Sequence, residues 1–312
     1  MGARLHQAGY DVLLIARGAH HEAIRDKGLR VQSAEEDVTL QIPVVDHPSA
    51  IEWRDGDAVF LGMKSQDTLD ALTTLEPLAP ADTPIVSLQN GVANERTAIR
   101  FFANVYGITV MCPTNYLTPG VVQAYSAPIT GLLDIGRYPD GVDDTAEEIA
   151  AALRASTYES EARPDIMRWK YGKLLMNLGN GIDAMCGPAA RGTELFRIVR
   201  REGVDTLRAA GIDFVDRDED AARRGSFMQM KPIAGQDRGG GSTWQSLERG
   251  LGSVETDYLN GEIVLLGRLH GVPTPANELM QRLTAKAARE GIAAGSVDPQ
   301  ELLEQLGVPT SA

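Results

Sequence analysis

Lys173 and Asn177 sit four residues apart in KLLMN (173–177), with three apolar residues between them. On a helix that spacing stacks both side chains on one face. An ammonium beside an amide can meet negative charge growing on an oxygen, as when a hydride adds to a carbonyl. The plainer alternative is a surface lysine whose stem covers apolar neighbours, and Lys170 reads as that ordinary kind. A second group lies in GGGSTWQSLERG (239–250), where Ser242 and Thr243 open a helix. A hydroxyl there normally caps the helix, and free N–H groups at the same end favour a carboxylate ligand. Neither hydroxyl has an adjacent histidine that would argue for a hydrolase nucleophile. Glu255 follows in VETDYLNG (254–261), on a further helix with Tyr258 and Leu259 at helical spacing. A solvated carboxylate is its default reading.

Positioning these groups falls to a chain whose hydrophobic period changes along its length. Strands are predicted at 12–16, 57–64, 83–91 and 106–113, alternating with helices at 19–27, 68–78 and 94–102. LRVQS (29–33) and VTLQIPV (38–44) read as a hairpin-like excursion. Residues 121–136 read as two strands at a sheet edge with Pro128 between them. This alternation argues an α/β domain with a largely parallel sheet. From Asp144 onward the apolar period is 3.6 and strand signals vanish. Helices are predicted at 145–156, 164–185, 205–210, 243–249, 252–269 and 276–289, and the final Pro309 and small residues read as frayed. The expected organisation is therefore an α/β domain over 1–160 and an all-helical domain over 161–312.

In such α/β folds ligands bind beyond the carboxyl ends of the strands. Arg17 ends the strand at 12–16. A carboxylate there suits a ribose hydroxyl and an arginine suits a 2′-phosphate; a solvated strand-end arginine is the alternative. Lys64 in FLGMKS and Asn90 in SLQNG likewise follow strands, as a plain strand-end lysine and an N-G turn also would. A dinucleotide fold should open with a strand and a G-x-G-x-x-G loop. Here only Gly2 precedes the first helix, so the domain reads as a Rossmann type without its first strand.

A length of 312 residues allows two ordinary domains. A formal charge of −13 and a pI of about 4.9 disfavour nucleic acid or an anionic membrane as the main partner. A small anionic ligand in a locally positive site remains compatible. No stretch reads as a transmembrane helix or a signal peptide, so a cytoplasmic location is expected. Cys112 and Cys186 read as free, buried thiols. The five histidines show no ligand spacing, so no metal site is expected.

FLGMKS, SLQNGVANE, KLLMN, and STWQSLERG followed by VETDYLNG together resemble the ketopantoate reductase (2-dehydropantoate 2-reductase) family. The resemblance runs from GARLHQAGYDVLLIARG to about residue 290. It implies a Rossmann-type NADP-binding domain, an all-helical substrate domain, and reduction of a 2-keto acid by NADPH. The family's type reaction converts 2-dehydropantoate to pantoate, towards pantothenate. By this resemblance Lys173 is the general acid and Asn177 its orienting partner. Glu255 accepts a bond from a substrate hydroxyl and pairs with Lys173. Thr243 stands where the family has a serine, with Ser242 beside it; one hydroxyl caps the helix and the other binds the substrate carboxylate, Thr243 ranking first for that role. Asn90 contacts the nicotinamide ribose and the substrate region, Lys64 contacts cofactor or substrate acid group, and Gly2 and Arg17 serve the cofactor. Asp257 and Asn260 are expected to cap or brace.

Some positions depart from the pattern. The family's asparagine four residues beyond Asn177 is Gly181 here, and Asn180, one position earlier, is the expected substitute. Trp169 is shifted from the family's W-x-K. These departures point to a subgroup whose keto acid differs. The absent first strand and glycine loop are the largest departure, and a true start upstream of Met1 is expected. The rival reading is a nonenzymatic relic or binding protein. A homodimer is expected only by analogy with the layout.

Overall fold

The computed structural model describes residues 1–308; the frayed end expected at Pro309 lies outside the described residues. The chain forms two compact units. The first holds Met1–Gln89, Ala93–Trp169 and Arg217–Arg238; the second holds Asn90–Val92, Lys170–Asp216 and the residues from Gly239 onward. Residues 217–238 thus return to the first unit, which a single boundary near 160 does not anticipate.

The first unit is α/β. It runs α1 (Gly2–Gln7), β1 (Leu14–Ile15), α2 (Gly18–Lys27), β2 (Leu29–Gln32), β3 (Asp37–Leu40), β4 (Val44–Val45) and β5 (Val59–Leu61). It continues α3 (Thr68–Leu75), β6 (Ile85–Ser87), α4 (Asn94–Ala98), β7 (Val105–Met111), β8 (Thr114–Asn115), β9 (Val121–Ala124), β10 (Gly131–Arg137), α5 (Asp144–Ala155) and β11 (Tyr158–Glu159). The main sheet has the order β11-β10-β7-β6-β5, parallel throughout except for the β7–β10 pair. Strand alternation sorts its side chains onto two faces. Ile85 and Val105 pack with Leu72 and Leu75 of α3, while Val86 and Tyr106 pack with Ala146, Ala150 and Leu153 of α5. Both faces are covered, which explains why β6 and β7 are mostly apolar runs rather than alternating ones.

Several expectations shift here. The predicted excursion is a true antiparallel hairpin, β2–β3, within a four-stranded sheet β3-β2-β9-β8. β9 and β10 belong to different sheets, and β10 lies between β7 and β11 rather than at an edge. β11 lies in TYES, too short and polar to show a strand period.

β1 pairs with β4 alone and β5 with β6 alone among the described residues. Leu14 and Ala16 donate their N–H groups to Pro43 and Val45 carbonyls, so the backbone groups of Leu13 and Ile15 face away from β4. The free edges at Leu13, Ile15, Ala58 and Phe60 line one groove of about 570 Å³. Among the described residues β1 and β5 belong to different sheets. α1 packs tightly on β1: a Cβ on Gly2 would come within 2.9 Å of Leu14 Cδ2. Close helix–strand approach is one of the uses glycine has in a dinucleotide fold.

The second unit is helix-rich. α6 (Ile166–Asn177) enters it at Lys170 and is followed by α7 (Asn180–Cys186) and α8 (Glu194–Ala209). The single helix expected over 164–185 is thus two. The break at Leu178–Gly179 has one local and one distant cause: glycine is a poor helix former, and Asn260 Nδ2 donates to the Leu178 carbonyl at 3.2 Å. α9 (Arg217–Arg224) belongs to the first unit and buries none of its residues; RDEDAARR has no apolar period to read. α10 (Ser242–Glu248), α11 (Asn260–His270), α12 (Pro275–Glu290) and α13 (Pro299–Gln305) complete the second unit. α12 starts with proline at its first position and ends on Gly291 in the left-handed region.

Both cysteines are free and half-buried. Burial pushes the Cys186 thiol up to about 11 and raises that of Cys112 as well. No described helix is long and apolar enough to cross a membrane.

Candidate functional site

In the first unit the relevant side chains follow parallel strands. Arg17 comes directly after β1, is exposed, and stands at the N-cap of α2. Lys64 follows β5, is half-buried, and precedes a 3-10 turn, Ser65–Asp67. The loop after β6 is tied to that turn by buried amides and hydroxyls. Gln89 Nε2 donates to the Met63 carbonyl at 3.0 Å and to Thr68 Oγ1 at 2.8 Å. Thr68 Oγ1 donates to Asn94 Oδ1 at 2.9 Å, and Asn94 Nδ2 donates to Ser65 Oγ at 3.0 Å. Ser65, Thr68, Gln89 and Asn94 are all buried, so these bonds act at low dielectric, where satisfied networks rigidify. Lys64 is therefore carried on a fixed turn. Sequence reading misses these four residues. Thr68 and Asn94 stand at helix starts and look like caps, yet neither caps its helix.

In the second unit α6 presents Lys173, half-buried, and Asn177, which is 4% exposed. Asn177 Nδ2 donates to Asn90 Oδ1 at 2.9 Å, which joins two of the expected site residues directly. Lys170 is not the surface lysine its sequence context suggests; it is 2% exposed. The helical spacing that sets Lys173 beside Asn177 turns Lys170 inward. Asn180 is buried at the start of α7 and its Nδ2 lies 3.5 Å from Ser242 Oγ. Thr243 is buried, and its Oγ1 has no hydrogen-bond partner among the described residues. An orphan buried hydroxyl costs stability and calls for a functional or solvent partner.

The expectation that a hydroxyl caps α10 fails. Gly241 is the N-cap, and Ser242 and Thr243 are already helical. The glycines before them are explained by packing: a Cβ on Gly240 would come within 2.5 Å of the Trp244 ring, and one on Gly239 within 2.7 Å. Bare backbone thus runs against the indole and fixes where Ser242 begins. Glu255 is buried, but it opens a 3-10 turn, Glu255–Tyr258, ahead of α11 rather than lying on a long helix. Leu259, with φ −112° and ψ −86°, breaks the helix expected over 252–269. Asp257 braces this turn by accepting from Gln281 Nε2 at 2.9 Å. Asn260 also bridges to Asn277 Oδ1 at 3.0 Å. The position the resemblance assigns to a further asparagine, Gly181, faces packed side chains: a Cβ there would lie 3.1 Å from Thr284 Cγ2.

Two cations of the first unit, Arg17 and Lys64, follow its parallel strands and lie outside the residues that line its cavity. A cavity of about 330 Å³ is lined by Gly2, His20 and Thr114, by β1 with Ala16 after it, and by Gly62, which follows β5. Arg17 supplies an exposed cation just beyond it in sequence, and Lys64 a second after β5. No trio of His, Cys, Asp or Glu able to hold a metal occurs among the described residues.

The first unit is Rossmann-like and the second helix-rich, with Lys173 and Asn177 four residues apart on α6. Residues 1–139 match the family model for Ketopantoate reductase PanE/ApbA, and residues 165–288 match Ketopantoate reductase PanE/ApbA C terminal. The chain is 31% identical over 292 residues to the 2-dehydropantoate 2-reductase of Archaeoglobus fulgidus, covering 91% of this chain and 92% of that one. It is 28% identical to the enzyme of the same name from Pyrococcus horikoshii, with 95% of each chain covered. The crystal structure of a PanE/ApbA family ketopantoate reductase from Ralstonia eutropha JMP134 superposes with a TM-score of 0.75 at 29% identity, covering 93% of this chain and 94% of that one. The chain belongs to the ketopantoate reductase family, and it is an oxidoreductase of that kind.

Proposed function

We propose that the protein reduces a 2-keto acid, 2-dehydropantoate or a close analogue, to the 2-hydroxy acid with NADPH. The observation that carries this reading is the set built around α6: Lys173 and Asn177 on one helix face, Asn177 bonded to Asn90, and Asn180 beside Ser242. When bound, the reduced nicotinamide supplies the hydride. Arg17 would hold the 2′-phosphate of its adenosine end, and Gly2, Lys64 and Asn90 would serve the rest of the nucleotide. The Lys173 ammonium donates the proton to the keto oxygen as negative charge grows there, so hydride and proton together give the alcohol. Asn177, its amide fixed by Asn90, holds the ammonium's direction. The orphan hydroxyl of Thr243, with Ser242 and Asn180, supplies bonds to the substrate carboxylate. Glu255 accepts a bond from a substrate hydroxyl.

Arg17→Glu tests the nucleotide preference. Charge-assisted bonds to phosphate are the strong ones, so NADPH affinity should fall about tenfold or more, while NADH affinity changes little. Calorimetric titration of both nucleotides reads this directly. Equal losses for the two, or none for NADPH, would remove Arg17 from the phosphate.

A further inference from the structure

We infer that Arg191 is a positioning residue that makes Asn180 a hydrogen-bond donor to the substrate; this rests on the reductase reading above. Arg191 lies in the 3-10 turn Pro188–Gly192 and reaches back over the break between α6 and α7. Its Nη2 donates to Asn180 Oδ1 at 2.8 Å, its Nε to Asp183 Oδ2 at 2.5 Å, and its Nη1 to the Met176 carbonyl at 3.4 Å. The guanidinium also stands 5.9 Å from the Phe196 ring centroid. Gly179 leaves it this place: a Cβ there would lie 3.2 Å from Arg191 Cζ and 2.9 Å from Phe196 Cε2.

The consequence concerns the two ends of an amide. An unconstrained asparagine can offer either its oxygen or its NH2 group by turning over. At Asn180 the oxygen is taken by a guanidinium that Asp183 holds in place, and a turned amide would set NH2 against that cation. The NH2 group is therefore the end presented towards Ser242. This selects an oxygen acceptor on the ligand, such as a carboxylate. It also gives the chain a fixed donor beside Gly181, where the family pattern has an asparagine that this chain lacks.

The test is a double-substitution cycle with Arg191→Gln and Asn180→Ala, read by steady-state kinetics with a 2-keto acid. Arg191→Gln should raise KM for the keto acid about tenfold, with kcat within about threefold and NADPH affinity unchanged. In the Asn180→Ala background the same change should raise KM no further, because the residue it acts through is gone. Arg191→Lys should recover part of the loss, since an ammonium can still donate to Oδ1, and it guards against a misfolded glutamine variant. An additive cycle, or a fall in kcat at constant KM, would overturn the inference while leaving the reductase reading intact. A wild-type protein that reduces no 2-keto acid with either nucleotide would overturn that reading and the inference with it.

Discussion

Replacing Lys173 with methionine should lower kcat by about 10²- to 10⁴-fold, the range one positioned proton donor contributes. Methionine keeps an unbranched apolar stem that ends one atom short of the ammonium, so the loss isolates the charge. KM for the keto acid should move far less, because the charge that Lys173 meets exists mainly in the transition state. Asn177→Ala should give a smaller fall in kcat, since it frees both the lysine's neighbour and the Asn90 oxygen bonded at 2.9 Å. Stopped-flow or steady-state nucleotide oxidation checks both. If Lys173→Met retained kcat within a few-fold and changed KM alone, the lysine would be a binding group and the proton would come from elsewhere.

Asp134→Ala is expected to destabilise the first unit by about 3–5 kcal/mol, the cost of breaking a buried charge pair by removing one partner. Asp134 on β10 is fully buried and accepts four bonds: from the Glu161 N–H at 2.9 Å, from Arg163 Nε at 2.6 Å, and from Arg223 Nε and Nη2 at 2.9 and 2.6 Å. The Arg163 guanidinium also lies 4.0 Å from the Trp169 ring centroid. α9 buries no residue of its own, so its hold on the first unit rests on charge, here and in the two-pronged Arg168–Glu219 pair at 2.6 Å. Removing Asp134 strands Arg223, whose side chain is 8% exposed and whose other carboxylates, Glu159 and Glu161, come no nearer than 3.6 Å, while Arg163 keeps Glu161 at 2.6 Å. Urea denaturation followed by tryptophan fluorescence reads the effect, and Asp134→Asn, which keeps the shape and one acceptor, should lose less. A loss under about 1 kcal/mol would assign the cluster to the class of screened surface pairs.

What could be read beforehand followed from periodicity and local chemistry. β6 is buried at all three positions and α5 is amphipathic, with Asp143 capping it by accepting from Ala146 N–H at 3.0 Å. Both were legible for those reasons, and so was a helix carrying Lys173 and Asn177. The remainder depends on partners distant in sequence. The break at Leu178–Gly179 is reinforced by Asn260, 82 residues further along the sequence, which draws off a carbonyl. Gln89, Thr68 and Asn94 look like turn and cap residues until the tertiary structure links them. Lys170 looked exposed because charge suggests solvent, yet its helix face decided otherwise. α9 could not be found by an apolar period because ion pairs rather than apolar burial attach it. Arg191 carries no motif at all; only its three acceptors reveal it.

The most direct measurement is the rate of NADPH oxidation by the purified protein with 2-dehydropantoate and with a series of other 2-keto acids, alongside Lys173→Met and with NADH as the control. The expected result is oxidation that requires a 2-keto acid, runs better with NADPH than with NADH, and is abolished in the Lys173 variant. A folded protein that oxidises neither nucleotide with any 2-keto acid would contradict the assignment of keto-acid reduction to this site.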